Sequence, residues 1–162
     1  MTGGNTRRNE RQVTDPKRIR EIVEDCRIIR VGLADGKSVY EVPVNFGYRE
    51  DEKGYTFYFH GARAGRKFEL ITRNGYAGFE MDCGNTIKEA DQACGHSEFY
   101  RSGIGEGAVT EVTEPEEKKE ALSLIMKHAR GDDREWDFPE KMLAATGVFR
   151  IDPMMLTFKE NL

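Results

Sequence analysis

The chain lacks the features that mark several large classes of protein. No apolar stretch approaches the roughly 20 residues that a membrane-spanning helix needs, and the first twelve residues contain no apolar segment of a secretory signal. Basic residues are not in excess, because 25 Lys and Arg stand against 29 Asp and Glu, a formal charge of −4. That balance argues against a general nucleic-acid-binding protein, whose surface is usually basic. We therefore expect a cytoplasmic protein that binds neither nucleic acid nor membrane.

Cysteine and histidine are too few and too scattered for a metal site. The three cysteines include no Cys-x-x-Cys pair, and the three histidines show no His-x-x-x-His spacing. The sequence therefore predicts no metal. Aromatic residues make up 10% of the 162 residues, enough for a packed core and too many for a disordered chain. This length suits one ordinary domain, and we expect a flexible tail over 1–13 followed by a single domain over 14–160.

The hydrophobic periodicity predicts a mainly β fold with appended helices. A helix is expected from Pro16, after the capping residue Asp15. Period-two alternation up to His60 predicts a three-stranded antiparallel meander over 27–60, with one strand covering 40–48. The remaining predicted elements are strands at 76–83, 99–113 and 148–152, a helix ending near 73–75, a loop over 84–98 and a helix from Glu114. Strands in hairpin runs favour an antiparallel barrel over a doubly wound parallel sheet.

A glycine-rich basic turn joins the third predicted strand to the helix that follows. It reads His60-Gly61-Ala62-Arg63-Ala64-Gly65-Arg66-Lys67. The unpaired N–H groups of a helix start favour an anion, and the three cations add charge-assisted hydrogen bonds. The patterns of the Walker loop and of the dinucleotide fingerprint are both absent. The turn is a candidate phosphate site, and a solvated basic turn is the alternative.

Two further features would suit a flat ligand. Gly103, Gly105 and Gly107 alternate along one strand and therefore share a face, which either admits a planar group or lets the sheet bend. Pro43 stands in the cleanest predicted strand and indicates an edge or a bulge, because proline cannot donate to a β-ladder. A heterocycle could pair with the free backbone groups of such an edge, and a plain edge strand is the alternative.

Together these segments resemble the flavin-binding split-barrel superfamily of pyridoxamine 5′-phosphate oxidases, and within it the nitroimidazole-resistance (Nim-type) branch. The likeness spans about residues 12–155. The segments that carry it are Val42-Pro43-Val44-Asn45-Phe46-Gly47-Tyr48, Tyr58-Phe59-His60-Gly61-Ala62 with Gly65-Arg66-Lys67, and Tyr100-Arg101-Ser102. The resemblance implies a six-stranded antiparallel split β-barrel, paired as a homodimer with FMN at the subunit interface.

The resemblance also implies where FMN binds. Arg66 and Lys67 would hold the phosphate with the backbone from Ala62 to Gly65. Main-chain and polar groups along the isoalloxazine edge would come from Val42, Pro43, Val44, Asn45 and Phe46.

The remaining implied contacts involve four residues. Arg101 and Ser102 would complete the phosphate or ribityl site, and Trp136 would cover the ring from the partner chain. His60 would lie near the flavin, where it either delivers a proton as the catalytic residue or only bonds the cofactor.

The leading functional prediction is an FMN-dependent oxidoreductase. Such an enzyme would take hydride from a reduced nicotinamide and reduce a small acceptor such as a nitroaromatic compound. One alternative is a non-catalytic carrier or sensor that binds flavin or haem on the same barrel. Another is that a deazaflavin takes the place of FMN.

Overall fold

The computed structural model describes residues 8–162, so residues 1–7 of the predicted tail lie outside the described residues. The described chain forms eight strands and four α-helices. In chain order these are β1 (Gln12–Val13), α1 (Pro16–Asp25), β2 (Ile29–Asp35), β3 (Ser38–Val44), β4 (Gly47–Asp51), β5 (Gly54–Ala62), α2 (Arg66–Asn74), β6 (Tyr76–Lys88), β7 (Ser97–Glu111), α3 (Pro115–Arg130), α4 (Glu140–Ala145) and β8 (Thr146–Asn161). None of the described helices is long and apolar enough to cross a membrane.

The sheet curls into a split barrel because its two edge strands are consecutive in the chain. All pairings are antiparallel, in the order β3-β2-β6-β7-β8-β5-β4, with β1 added beside β8. β3 and β4 stand at opposite ends of this order, yet only Asn45 and Phe46 separate them. Two linking residues can span only about 10 Å, so the edges approach each other without pairing. The mainly antiparallel barrel with appended helices is thus confirmed, with eight strands rather than six.

The meander predicted over 27–60 is correct in its two antiparallel pairings and wrong in the continuity of its middle strand. β3 pairs only with β2, whereas β4 pairs only with β5, so the predicted strand 40–48 is two strands on either side of the split. The period-two alternation of apolar residues continues through 40–48 because the side chains of both strands face the same core across the corner. The edge position predicted from Pro43 is confirmed, since β3 ends the sheet. β6 also runs on to Lys88, which shortens the loop predicted at 84–98.

The last residues of the predicted tail belong to the sheet. Gln12 and Val13 pair with Lys159 and Phe158 of β8, and Val13 is buried. Strand pairing therefore starts two residues before the domain boundary predicted at residue 14. The helix start predicted near Pro16 is confirmed.

Two clusters of buried residues stabilise the barrel and its longest helix. Phe57 and Phe59 of β5 point into the barrel, where they join most of the buried aromatic and aliphatic side chains. Tyr58 points outward and packs against Ala121 and Ile125 of α3. β5 is therefore buried on both faces, which explains three consecutive aromatic residues with no exposed surface.

His128 of α3 is a buried histidine that ties the helix to the chain after α1. Its Nε2 lies 2.7 Å from the carbonyl oxygen of Cys26, and its ring centroid lies 4.4 Å from that of Phe46. A carbonyl oxygen only accepts, so Nε2 donates. Burial lowers the pKa of His128 below its usual value.

We expect the protein to lose stability as the pH falls through the range in which an unfolded histidine titrates. A histidine with a depressed folded pKa takes up its proton more readily in the unfolded chain. Its contribution is therefore complete above about pH 6.5 and declines below that value, by up to about 1.4 kcal/mol per pH unit. Urea unfolding at about pH 7.5 and about pH 5.5 measures the loss.

A pair of variants assigns this loss to one side chain. His128→Gln keeps an N–H donor without the titration and should reduce the difference between the two pH values. His96→Gln changes an exposed histidine and should leave the difference as it is. The account is contradicted if His128→Gln and the unaltered protein show the same pH dependence.

Candidate functional site

The basic turn lies where the sequence predicts it, between β5 and α2. β5 ends at Ala62, and Gly65 precedes α2 with a φ of 86°, a conformation that favours glycine. No side chain caps this helix start. The N–H groups of the first helical turn, from Arg66 onward, have no carbonyl partner within the helix. Together with the helix dipole they form a positively polarised end that suits an anion.

Lys67 adds an ammonium group at this helix start. A methyl group at Gly61 would lie 2.5 Å from the Lys67 Nζ, so the ammonium occupies space that only glycine leaves open. Within residues 8–162, no carboxylate pairs with Lys67, and its Nζ lies 5.9 Å from the centroid of the Phe59 ring. Burial lowers the pKa of Lys67. The site therefore contains a half-buried cation without the negative charge that would compensate it.

Arg66 reaches across to the β2–β3 hairpin. Its Nε and Nη2 donate to Oδ2 of Asp35 at 3.1 and 2.9 Å, and its guanidinium carbon lies 4.6 Å from the centroid of the Tyr40 ring. The side chain is still 52% exposed. A guanidinium has five N–H donors, so others stay available to a ligand. Arg66 thus connects the basic turn to β3.

His60 lies near the end of β5, opposite Val148 of β8, with its side chain at the surface. Desolvation and the nearby ammonium of Lys67 both lower its pKa. The neutral imidazole therefore predominates at neutral pH. In that form His60 offers one donor and one acceptor rather than a positive charge.

The open edge of the barrel contains Val42, Pro43 and Val44. β3 pairs with β2 alone, so alternate backbone groups face away from the sheet. Val42 and Val44 are half-buried towards the core, and Pro43 is exposed opposite Arg30. This segment keeps the free backbone edge that the predicted flavin contacts need.

Asn45 and Phe46 form the corner between β3 and β4. The Asn45 side chain is exposed and donates to the carbonyl oxygen of Arg27 at 3.3 Å. Phe46 is fully buried, with its ring edge-on to Phe57 at 5.8 Å between centroids. Because the Phe46 side chain belongs to the core, Phe46 could contribute only main-chain groups to a ligand, and the predicted main-chain contacts along this segment stay a prediction.

Arg101 and Ser102 lie at the far end of the long strands from the basic turn. Arg101 stands opposite Glu160 of β8, whereas His60 stands opposite Val148. The twelve intervening steps of strand correspond to roughly 40 Å of chain. Arg101 also forms an ion pair with Asp25 at 2.8 Å. A single chain therefore does not unite Arg101 and Ser102 with the basic turn.

Gly103, Gly105 and Gly107, the glycine stripe of β7, face the barrel interior. A methyl group at Gly103 would lie 2.7 Å from the Phe158 ring, and one at Gly105 would lie 2.7 Å from the carbonyl oxygen of Met155. Neighbouring groups already fill this space, so no planar ligand lies against it. A ligand-binding face is therefore wrong, and the register irregularity between Glu106 and Gly107 supports the alternative that the glycines let the sheet bend.

Trp136 lies in the segment between α3 and α4. Its ring lies near two guanidinium groups, 5.7 Å from Arg130 and 5.4 Å from Arg134. It borders a groove of about 400 Å³ lined by α3 and the loop after it. That Trp136 covers a flavin ring from a partner chain stays a prediction.

Two residues of this region escaped sequence analysis. In the sequence, Asp35 precedes Gly36 in a pair typical of a hairpin turn, and Tyr40 belongs to the alternating apolar face of the predicted strand 40–48. Neither spacing nor composition indicated that both would contact Arg66. In the described part of the chain, no group of three or more His, Cys, Asp and Glu side chains could hold a metal ion.

An open antiparallel barrel with an uncapped basic helix start is typical of proteins that bind a phosphorylated ligand at a sheet edge. The family described as Pyridoxamine 5′-phosphate oxidase matches residues 15–160, and the chain belongs to that family. A search of curated proteins finds no match.

Solved structures show the same fold over nearly the whole chain. A proposed 5-nitroimidazole antibiotic resistance protein from Bacteroides thetaiotaomicron is 28% identical, with a TM-score of 0.78 over 92% of this chain and 86% of its own. The flavocytochrome Anf3 from Azotobacter vinelandii is 18% identical, with a TM-score of 0.80 over 97% and 72%. The FAD and heme binding protein from Mycobacterium smegmatis is 17% identical, with a TM-score of 0.79 over 93% and 73%. The predicted resemblance to flavin-binding split barrels is confirmed.

Proposed function

We propose that this chain binds FMN and uses it as an oxidoreductase, taking electrons from a reduced nicotinamide and passing them to a small acceptor such as a nitroaromatic compound. The observation that carries the proposal is Lys67, an ammonium group without a carboxylate partner beside an uncapped helix start. Membership of the pyridoxamine 5′-phosphate oxidase family supports a flavin as the ligand. Two similar structures, a flavocytochrome and an FAD and heme binding protein, are consistent with this choice.

The residues present fit a phosphorylated flavin. The Lys67 ammonium and the first N–H groups of α2 would bind the phosphate, and Arg66 has donors left for it. The free edge of β3 beside Val42 would supply backbone hydrogen bonds to a heterocycle. FMN, when bound, would supply the hydride-transfer chemistry of the reaction. His60 would hold a hydrogen bond near the cofactor, and its depressed pKa favours this role over proton donation at neutral pH.

Cofactor extraction with mass measurement tests the proposal, followed by anaerobic turnover assays. We expect the mass of FMN, bleaching of the yellow colour by a reduced nicotinamide, and recovery of the colour on addition of a nitroaromatic acceptor. The mass of FAD, a deazaflavin or haem would contradict FMN as the cofactor. Bleaching without recovery by any acceptor would contradict the enzyme and indicate a carrier or sensor.

We further propose a homodimer formed through the outer face of β6, β7 and β8. This face exposes Tyr76, Ile104 and Met155, which are 41%, 52% and 41% exposed. Neighbouring apolar side chains left exposed on one sheet face are typical of an interface. A second copy would also supply Arg101 and Ser102, which one chain keeps away from the basic turn, and Trp136.

Replacing Ile104 with arginine is expected to turn the dimer into a monomer, because a charge would be buried without a partner in the interface. Light scattering after gel filtration measures the change, and FMN affinity should fall with it if the cofactor lies at the interface. Met142→Arg is the matched control, since Met142 is 63% exposed and lies on α4 rather than on one of these three strands. An unaltered protein that is already monomeric would contradict the proposal.

A further inference from the structure

Asp35 connects the end of β2 to both ends of α2. Its Oδ2 accepts two hydrogen bonds from Arg66 in the first turn of the helix, and its Oδ1 accepts one from Arg73 in the last turn at 2.9 Å. Both carboxylate oxygens are thus engaged. The guanidinium groups of Arg73 and Arg66 hold the pKa of Asp35 below its usual value, so the carboxylate is ionised at neutral pH.

Arg66 is fixed from a second direction by the Tyr40 ring under its guanidinium. A free arginine side chain has many rotamers, and a ligand that fixes it loses affinity for that reason. Here the side chain is already ordered while half of its surface stays exposed. Such pre-organisation raises the affinity for an anion that binds beside it.

The charge of Asp35 acts in the opposite direction. A carboxylate near a phosphate repels it, so charge alone predicts that removing Asp35 tightens FMN binding. Pre-organisation predicts that removing it weakens binding. The two effects differ in sign, and they also differ in salt dependence, because exposed charges are screened and the geometry of a side chain is not.

We propose that Asp35 is a positioning residue for phosphate recognition, which orders Arg66 so that its free donors face the basic turn, and that this ordering outweighs the repulsion from its charge. The inference rests on the proposed function and deepens it. It assigns to β2 a residue that selects phosphorylated flavins without contacting the flavin ring.

The test compares FMN with riboflavin, which lacks the phosphate, in the unaltered protein and in Asp35→Asn. Fluorescence titration should show FMN binding weakened about five- to tenfold by the substitution and riboflavin binding unchanged, a difference of about 1 to 1.4 kcal/mol. The loss should persist at about 0.5 M salt. In an Arg66→Ala background, Asp35→Asn should no longer weaken FMN binding and should tighten it slightly at low salt, because only the repulsion from the Asp35 charge is left to remove. Unchanged or tighter FMN binding in Asp35→Asn would overturn the inference.

Two controls separate the outcomes. Arg73→Lys keeps the charge but loses the guanidinium bond to Asp35, and it should leave FMN binding unchanged. An equal loss in Arg73→Lys would show that Asp35 acts on the helix as a whole and would overturn the inference. Unchanged urea midpoints verify that each variant folds. If the unaltered protein fails to bind FMN, the proposed function itself is contradicted. If it binds FMN and Asp35→Asn binds FMN equally well, only the role of Asp35 is contradicted.

Discussion

Replacing Gly107 with alanine is expected to lower the free energy of unfolding by about 3 kcal/mol, near the upper end of overpacking effects. A methyl group there would overlap the carbonyl oxygen of Asp152 and lie 2.8 Å from the amide nitrogen of Met154. Both atoms are backbone, so no side chain can rotate away. β7 and β8 pair with a register irregularity at this point, and the added methyl group would force them apart.

Gly78→Ala is the control for this prediction. Gly78 lies in the neighbouring strand β6, and a methyl group there would meet nothing within 4 Å. Alanine also restricts the unfolded chain, so we expect a change of less than about 1 kcal/mol in either direction. Urea unfolding measures both variants. Equal free energies of unfolding for Gly107→Ala and Gly78→Ala would contradict the conclusion that the glycine stripe is required for close packing of β7 against its neighbours.

Replacing Lys67 with alanine is expected to weaken FMN binding by about 10- to 150-fold, because it removes one charge-assisted hydrogen bond of about 1.5–3 kcal/mol. Riboflavin affinity should stay the same, since riboflavin has no phosphate for the ammonium to bind. Fluorescence titration measures both constants. Lys53→Ala gives the same change of net charge in the turn before β5, at the opposite end of that strand, and should leave FMN affinity unchanged.

Gly61→Ala tests the same site without removing the charge. Its methyl group would lie 2.5 Å from the Lys67 Nζ and 2.9 Å from the Cε, both at the far end of a flexible side chain. The ammonium can move aside, so we expect a folded protein with weakened FMN binding. Full FMN affinity in both Gly61→Ala and Lys67→Ala would show that the phosphate binds elsewhere.

The sequence predicted the basic turn well because the signal there is local. Strand end, glycines, cations and helix start follow one another from His60 to Lys67, and the structure keeps them together. The break between β3 and β4 was not predicted, for the opposite reason. Periodicity shows which side chains share a face but not which strand lies alongside, and a two-residue corner at Asn45 and Phe46 leaves the alternation intact while changing the partner.

Long-range contacts account for the rest of the site that sequence analysis missed. Asp35 and Arg66 are 31 positions apart, and only the fold brings their charged groups within 3.1 Å. Arg101 is the opposite case. Its motif resembles that of the family, but in a single chain it lies on β7 opposite Glu160, at the end of β8 that is far from the basic turn. Its predicted role depends on a second subunit, for which one sequence contains no direct signal.

The central claim is that the start of α2 recognises a phosphate. Titration of the unaltered protein with FMN and with riboflavin tests it most directly, because the two ligands share the ring and differ in the phosphate. We expect FMN to bind at least about 100-fold more tightly, the combined effect of Lys67 and the free N–H groups of the helix start. Equal affinity for the two flavins, or no affinity for either, would contradict the account.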